Sequence, residues 1–203
     1  RRKEFKAMKK SSILILIIIC LVGCKKGSNE TTITGEIKGL GTDTLYLYGM
    51  DELYDRIDTI YVENDKFSYT TSVDTITSAY LLLKNRIEYP VFLDKGNKIK
   101  IKGDTINLNF LTISGNIYNE EFTDFQKALE DPADPSEKAG EETVDKRITV
   151  EKANTAEEMA EEFILQHHSS YVSLYLLDKY FVQKETPDFS KIKKLVEVMT
   201  GVL

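Results

Sequence analysis

The sequence predicts an α+β protein: an N-terminal antiparallel β-sandwich or barrel of about eight strands, followed by a helical segment. Three observations carry this. From Thr31 to Ile113 the apolar residues alternate with a period of two. Glycine, asparagine and aspartate turn signals interrupt that stretch at roughly ten-residue spacing. After Ser114-Gly115-Asn116 the period becomes helical.

In Thr31–Lys38, Ile33 and Ile37 fall on one face and Thr34, Glu36 and Lys38 on the other. Gly39-Leu40-Gly41 turns the chain into Asp43–Tyr48, with Leu45 and Leu47 inward and Tyr46 and Tyr48 outward. Ile57–Glu63 and Lys66–Ser72 flank Asn64-Asp65, a pair that tolerates positive φ and signals a hairpin. Thr77–Lys84 is denser in apolar residues, which predicts a strand buried on both faces. Tyr89–Asp94 and Lys98–Lys102 enclose Lys95-Gly96-Asn97, a second hairpin signal, and Leu108–Ser114 closes the set. Tyr46, Tyr48, Tyr61, Tyr69 and Tyr80 read either as an aromatic binding face or as ordinary strand formers, and the second reading is the simpler.

Phe122, Phe125 and Leu129 form one stripe of a helix that the proline-bearing segment Asp131-Pro132-Ala133-Asp134-Pro135 ends. Residues 137–165 are heavily charged; Met159, Phe163 and Leu165 form a thin apolar side opposite Glu157, Glu158, Glu161 and Glu162. These acids lack a nearby histidine or a calcium-loop pattern and read as a solvated face, not as metal ligands. His167-His168-Ser169-Ser170 is a turn, with Ser169 or Ser170 capping a deeply packed helix over Tyr171–Phe181. Pro187-Asp188-Phe189-Ser190 opens a last helix, Lys191–Met199, with Ile192, Leu195, Val196 and Met199 on one stripe; Thr200 ends it and Gly201 suits the left-handed position beyond.

The N-terminus carries the address. Met8-Lys9-Lys10 reads as the start, which makes residues 1–7 a leader foreign to the native protein. Ile13–Val22 is ten consecutive apolar residues, about 15 Å as a helix and so half of a hydrocarbon core. That length suits a signal peptide over residues 1–23. Leu21-Val22-Gly23-Cys24 resembles the lipobox of bacterial lipoproteins, which implies diacylglycerol on the Cys24 thiol and a small Gly23 to admit the peptidase. Lys25 is not the aspartate that resembles an inner-membrane retention signal, so an outer-membrane lipoprotein with a periplasmic body is expected. Residues 24–30 form a polar tether, residues 31–117 the β domain and residues 118–203 the helical region.

Cleavage before Cys24 leaves 21 basic and 32 acidic residues, a net charge of −11. That balance argues against nucleic acid, whose phosphates need clustered cations, and against a polybasic membrane-surface role. The two cysteines are Cys20, in the removed segment, and Cys24. A mature chain with only an acylated cysteine has no disulfide, no Cys-x-x-Cys pair and no thiolate metal site. No cofactor and no metal are expected.

The motifs Gly35-Glu36-Ile37-Lys38-Gly39-Leu40, then Asp58, Val62, Asn64 and Phe67, then Phe92-Leu93 with Gly96, Ile99 and Ile101, then Ser114-Gly115-Asn116 resemble a family. It is the domain of unknown function in front of lipid-anchored, ResA/TlpA-like (AhpC/TSA-type) thiol–disulfide oxidoreductases. Asp65 stands where the family usually has glycine, and His167-His168 where Asn-Pro is usual. The resemblance covers 31–203, and the thioredoxin domain with its Cys-x-x-Cys site is missing.

Two functions follow as expectations. One is a non-catalytic envelope lipoprotein, attached to the membrane through its lipid and binding a partner protein or ligand. The alternative is the truncated front part of a membrane-anchored thioredoxin-like oxidoreductase. A stand-alone enzyme has the least support: no catalytic residue can be nominated, because the only histidines, His167 and His168, sit in the turn away from any nucleophile pattern.

Overall fold

A computed structural model of the chain describes residues 29–50, 52–83, 86–130 and 145–199, with side chains from 156 onward in the last stretch. The strands are β1 (Glu30–Lys38), β2 (Asp43–Gly49), β3 (Ile57–Val62), β4 (Lys66–Ser72), β5 (Thr77–Leu82), β6 (Glu88–Leu93), β7 (Lys98–Asp104) and β8 (Thr112–Ser114). The helices are α1 (Ile117–Glu130), α2 (Asp145–Gln166), α3 (Tyr171–Leu177), which runs into a π-helical turn Asp178–Val182, and α4 (Phe189–Val198).

Two four-stranded sheets result, the first in the order β4-β1-β7-β8 and the second in the order β3-β2-β5-β6. The fold is therefore sandwich-like and α+β, with its strands N-terminal and its helices C-terminal. Ile33, Ile37, Ile99, Ile101 and Ile113 line the first sheet's inner face, and Leu45, Leu47, Ile60, Leu81 and Val91 line the second's. Each is the alternate residue of its strand, as period-two patterning requires.

Five strand expectations need correction, the last of them at Leu108–Ser114. The pairings are antiparallel except that of β1 with β7, which is parallel and aligns Ile33 with Ile99. Asn64 and Asp65 do form a tight turn, with φ of 51° and 69°, and Glu63 bridges Lys66. Beyond that bridge β3 joins the second sheet and β4 the first, so the turn links two walls instead of closing a hairpin. Lys95-Gly96-Asn97 likewise carries the chain from one sheet to the other. In both cases separation lets Ile60 and Val62, or Phe92 and Leu93, bury against layers that a flat hairpin could not reach. Strand β5 alternates between buried and half-buried residues. The strand buried on both faces is β6, from Tyr89 to Leu93, because the helices cover its outer side.

Leu108–Leu111 is loop and not strand. Asp104 Oδ1 accepts from the Ile106 N–H at 2.9 Å and turns the chain there, while Leu108 and Leu111 still plug the core. The first turns lock together: the Gly41 N–H donates to Asp65 Oδ1 (2.6 Å) and the Asp65 N–H donates to the Gly41 carbonyl (2.9 Å).

Helix α1 closes the seam between β8 and β6. Thr123 Oγ1 accepts from the Ile113 N–H (2.9 Å) and donates to the Ile113 carbonyl (3.0 Å). Phe92 meets Tyr118, Phe122 and Tyr175 with ring centroids 6.2–6.4 Å apart, so α1 and α3 pack over β6. In α2 the inward residues are Ala160 and Ile164, both fully buried, flanked by half-buried Met159 and Phe163. Leu165 is on the outside, a correction to the apolar side read from sequence: Ala160 carries too little apolar surface to mark a stripe. Helix α3 is deeply packed as expected, with Val172, Ser173, Tyr175, Leu176 and Leu177 buried. Helix α4 starts at Phe189, two residues earlier than predicted, because Asp188 caps it by accepting from the N–H groups of Ser190 and Lys191.

Candidate functional site

Leu21, Val22, Gly23 and Cys24 lie outside the described residues, as do the leader, the Asp131–Pro135 breaker, Thr200 and Gly201. The described residues present three polar clusters.

The first joins the only histidine turn to α1. Ser170 Oγ donates to Glu121 Oε2 (2.5 Å), and His167 Nδ1 stands 3.3 Å from Glu121 Oε1. The His167 ring stacks on Phe163, centroids 4.2 Å apart and planes 10° from parallel. Ser170 is the N-cap of α3, its Oγ accepting from the Val172 N–H at 3.2 Å. A groove of about 390 Å³ opens beside this cluster, between α1 and α2, with Phe125, Met159 and Phe163 in its lining.

Serine, histidine and carboxylate thus meet in space, which no sequence spacing signals: Glu121 lies 46 residues from His167. The order of contacts decides what they can do. In a hydrolytic relay the imidazole lies between hydroxyl and carboxylate, so that it can take the hydroxyl proton. Here the carboxylate lies between. The Ser170 proton is given to Glu121 and its lone pair to a helix N-terminus, which is the geometry of a latch holding α3 to α1.

The second cluster bridges the sheets where β3 and β4 part. Arg56 Nε donates to Asp58 Oδ2 (3.1 Å), and its Nη2 donates to the Ser72 carbonyl (3.0 Å) and to Thr71 Oγ1. The buried Tyr54 hydroxyl donates to Asp58 Oδ2, and the Arg56 guanidinium lies 4.5 Å from the centre of the Tyr54 ring. Burial alone would raise the Asp58 carboxyl, but hydrogen bonds from Tyr54, Tyr69 and Arg56 outweigh it and hold the group below its ordinary value. Burial, and then the bond to Asp58, push the Tyr54 hydroxyl up to about 12.

The third is the outer face of the first sheet. Lys98, Lys100 and Lys102 stand there on alternate positions of β7, with Lys66 on β4 and Lys38 at the end of β1.

Four of the five tyrosines, Tyr46, Tyr48, Tyr61 and Tyr80, share the outer face of the second sheet; Tyr69 does not. Tyr46 and Tyr61, 42% and 74% exposed, lie on the outer side of the second sheet. The Tyr48 ring packs 5.7 Å from that of Tyr80. Tyr69 belongs to the first sheet and bonds to Asp58. The acids of α2 are not simply solvated: Glu157 pairs with Lys184 (2.6 Å) and Lys191 (3.6 Å), and Glu161 with Lys191 (2.7 Å). These contacts tie α2 to α4. Among the described residues no group of three His, Cys, Asp or Glu side chains is gathered as for a metal ion.

The motif glycines serve packing. A β-carbon on Gly35 would come 2.1 Å from the Phe67 ring, and one on Gly115 would come 2.2 Å from the Lys98 carbonyl oxygen. Asn116 Nδ2 donates to Asn97 Oδ1 (2.8 Å) and to the Phe92 carbonyl (2.9 Å), joining the third motif to the fourth.

A family model described as a domain of unknown function (DUF4369) matches residues 31–122, from β1 into the middle of α1. No curated protein and no solved structure matches the chain.

Proposed function

We propose that this chain is a cell-envelope lipoprotein whose body is a non-catalytic module that binds a partner in the envelope. The observation that carries the anchor is the Ser11–Cys24 stretch: a basic start, an apolar run of signal-peptide length and Leu21-Val22-Gly23-Cys24 at its end. The body is read as non-catalytic because the serine–histidine–carboxylate cluster among its described residues is spent on joining helices. The positions that carry the sequence motifs support that reading, since Gly35, Phe67, Gly115 and Asn116 pack strands and turns. Labelling cells with radioactive palmitate tests the anchor. The unsubstituted protein should take up label and Cys24→Ala should not; equal labelling defeats the proposal.

The strand-and-turn motifs favour a second reading, the front part of a membrane-anchored thiol–disulfide oxidoreductase. Sequencing the DNA that follows the codon for Leu203 discriminates the two. A Trp-Cys-x-x-Cys-encoding segment there would establish the second reading. Under either one, insulin reduction by this chain alone should not exceed the rate without protein.

A further inference from the structure

We infer that the outer face of the first sheet is a docking surface for an anionic lipid bilayer, on which the body lies flat. This rests on the anchoring at Cys24 proposed above.

The face is built by alternation. In Lys98–Lys102 the two isoleucines are buried in the core, so the three lysines between and beside them must all point outward. The register then sets cross-strand rows: Lys66–Glu36–Lys102, Ser68–Thr34–Lys100–Ser114 and Thr70–Thr32–Lys98. Short hydroxyl side chains separate Lys98 and Lys100 from β4, while Glu36 lies between Lys66 and Lys102 and Glu30 and Asp104 stand at the ends of their strands, so the face carries five lysines, Lys38 included, against three carboxylates. Lys66, Lys98, Lys100 and Lys102 are exposed and form no ion pair among the described residues.

Chemistry selects the occupant. A protein partner would be met by an apolar centre to its interface, and none of the large exposed apolar side chains lies on β1, β4, β7 or β8. A sheet face on which lysines outnumber carboxylates five to three, with Lys98 and Lys100 set among hydroxyls, instead complements a field of phosphates. Position agrees. Residues 24–30 span at most about 21 Å when extended, and they lead straight into β1, the strand beside the lysine column.

The net charge of −11 does not oppose this. At physiological salt, fields decay over about 8 Å. The second sheet lies about 10 Å behind the first, while on α1 Glu120 and Glu130 accept hydrogen bonds from Gly115 and Asn107 at the β8 edge of the first sheet. A bilayer on the β4-β1-β7 face is screened from acids on the far side of the second sheet and meets Glu120 and Glu130 only at its β8 rim. Net charge averages over the surface and hides the segregation.

The test uses the acylated protein reconstituted into vesicles. In the processed chain Cys24 is blocked by lipid, so one introduced thiol labels cleanly: Ser68→Cys on the first sheet's outer face, or Thr59→Cys on the second's. A fluorophore there is quenched by a headgroup-bound quencher, in phosphatidylcholine alone or with 30% phosphatidylglycerol. At 100 mM salt on the anionic vesicles, quenching at position 68 should exceed that at 59 several-fold. It should fall to the level of 59 on neutral vesicles, at 1 M salt, and in a Lys98→Gln/Lys100→Gln/Lys102→Gln variant, since each lysine near an anionic surface strengthens association about fivefold. Equal quenching at the two positions, or quenching at 68 that survives the triple substitution, overturns the inference while leaving the anchor intact. Mass spectrometry of the N-terminal peptide separates the other failure: a peptide without acyl groups removes the anchor, and this inference with it.

Discussion

Phe67 on β4 stands over Gly35 on β1, its ring filling the space that a β-carbon at position 35 would need, 2.1 Å from Cζ. The two lie in separate motifs, yet their spacing in the fold is a single contact. Gly35→Ala should therefore destabilise the protein by about 1–3 kcal/mol, the usual cost of overfilling a packed core. Urea denaturation of Gly35→Ala, Phe67→Leu and the double variant checks it. The double variant should lose less than the sum of the singles, and strict additivity would show that the ring does not occupy that space.

Asn119 takes the place of a strand at the free edge of β6. Its Oδ1 accepts from the Phe92 N–H (3.0 Å) and its Nδ2 donates to the Phe92 carbonyl (2.8 Å), all within the core. Asn119→Ala leaves that N–H buried without a partner and should cost about 1–3 kcal/mol. Hydrogen exchange at the Phe92 amide should quicken more than at Val91. Unchanged protection at Phe92 would contradict the role.

Ser170 and Glu121 are predicted to act as one latch. Removing the Ser170 hydroxyl takes away a helix cap, about 0.5–2 kcal/mol, and with it the bond to Glu121. Ser170→Ala and Glu121→Ala combined should cost less than their separate effects added, by about 0.5–1.5 kcal/mol. An interaction energy of zero would mean that the contact does not hold the helices.

What the sequence made legible was local. Period-two burial in β1, β2 and β7, the positive φ of Asn64 and Asp65, and the Ser170 cap all depend on residues within a few positions of one another. What it hid was long-range. Asn64-Asp65 fixes a reversal of the chain but not which strand each arm then pairs with, and β1 meets β7 across 66 residues. The Glu121–His167 and Glu157–Lys184 contacts are set by helix packing, which composition does not encode. Segregation of lysines onto one face was half legible: alternation in Lys98–Lys102 is plain, but only the register brings Lys66 alongside.

Asp58 gives the fold a stability that depends on pH at both ends. It lies on β3 and is bonded by Tyr54, Tyr69 and Arg56, while Arg56 also reaches Thr71 and Ser72 on β4. The folded carboxyl titrates below its ordinary 3.8, so the unfolded chain takes up a proton first as the solution is acidified. The contribution is complete above about pH 5 and is lost as pH falls through 3.8 toward the lower folded value. Asp58→Asn keeps the shape and removes the charge. It should cost about 1–3 kcal/mol at pH 7, as expected for a bond between charged groups. The gap between the two proteins should close as pH approaches 3. At the alkaline end Tyr54 acts with the opposite sign: its hydroxyl ionises near 12 in the folded protein against 10.0 unfolded, so its contribution is intact below pH 10 and lost between 10 and 12. Tyr54→Phe should flatten that alkaline limb. Urea midpoints of the three proteins across pH 3–11 decide the matter. An Asp58→Asn gap of the same size at pH 7 and pH 3 would show that the carboxylate carries no part of the bridge between the sheets.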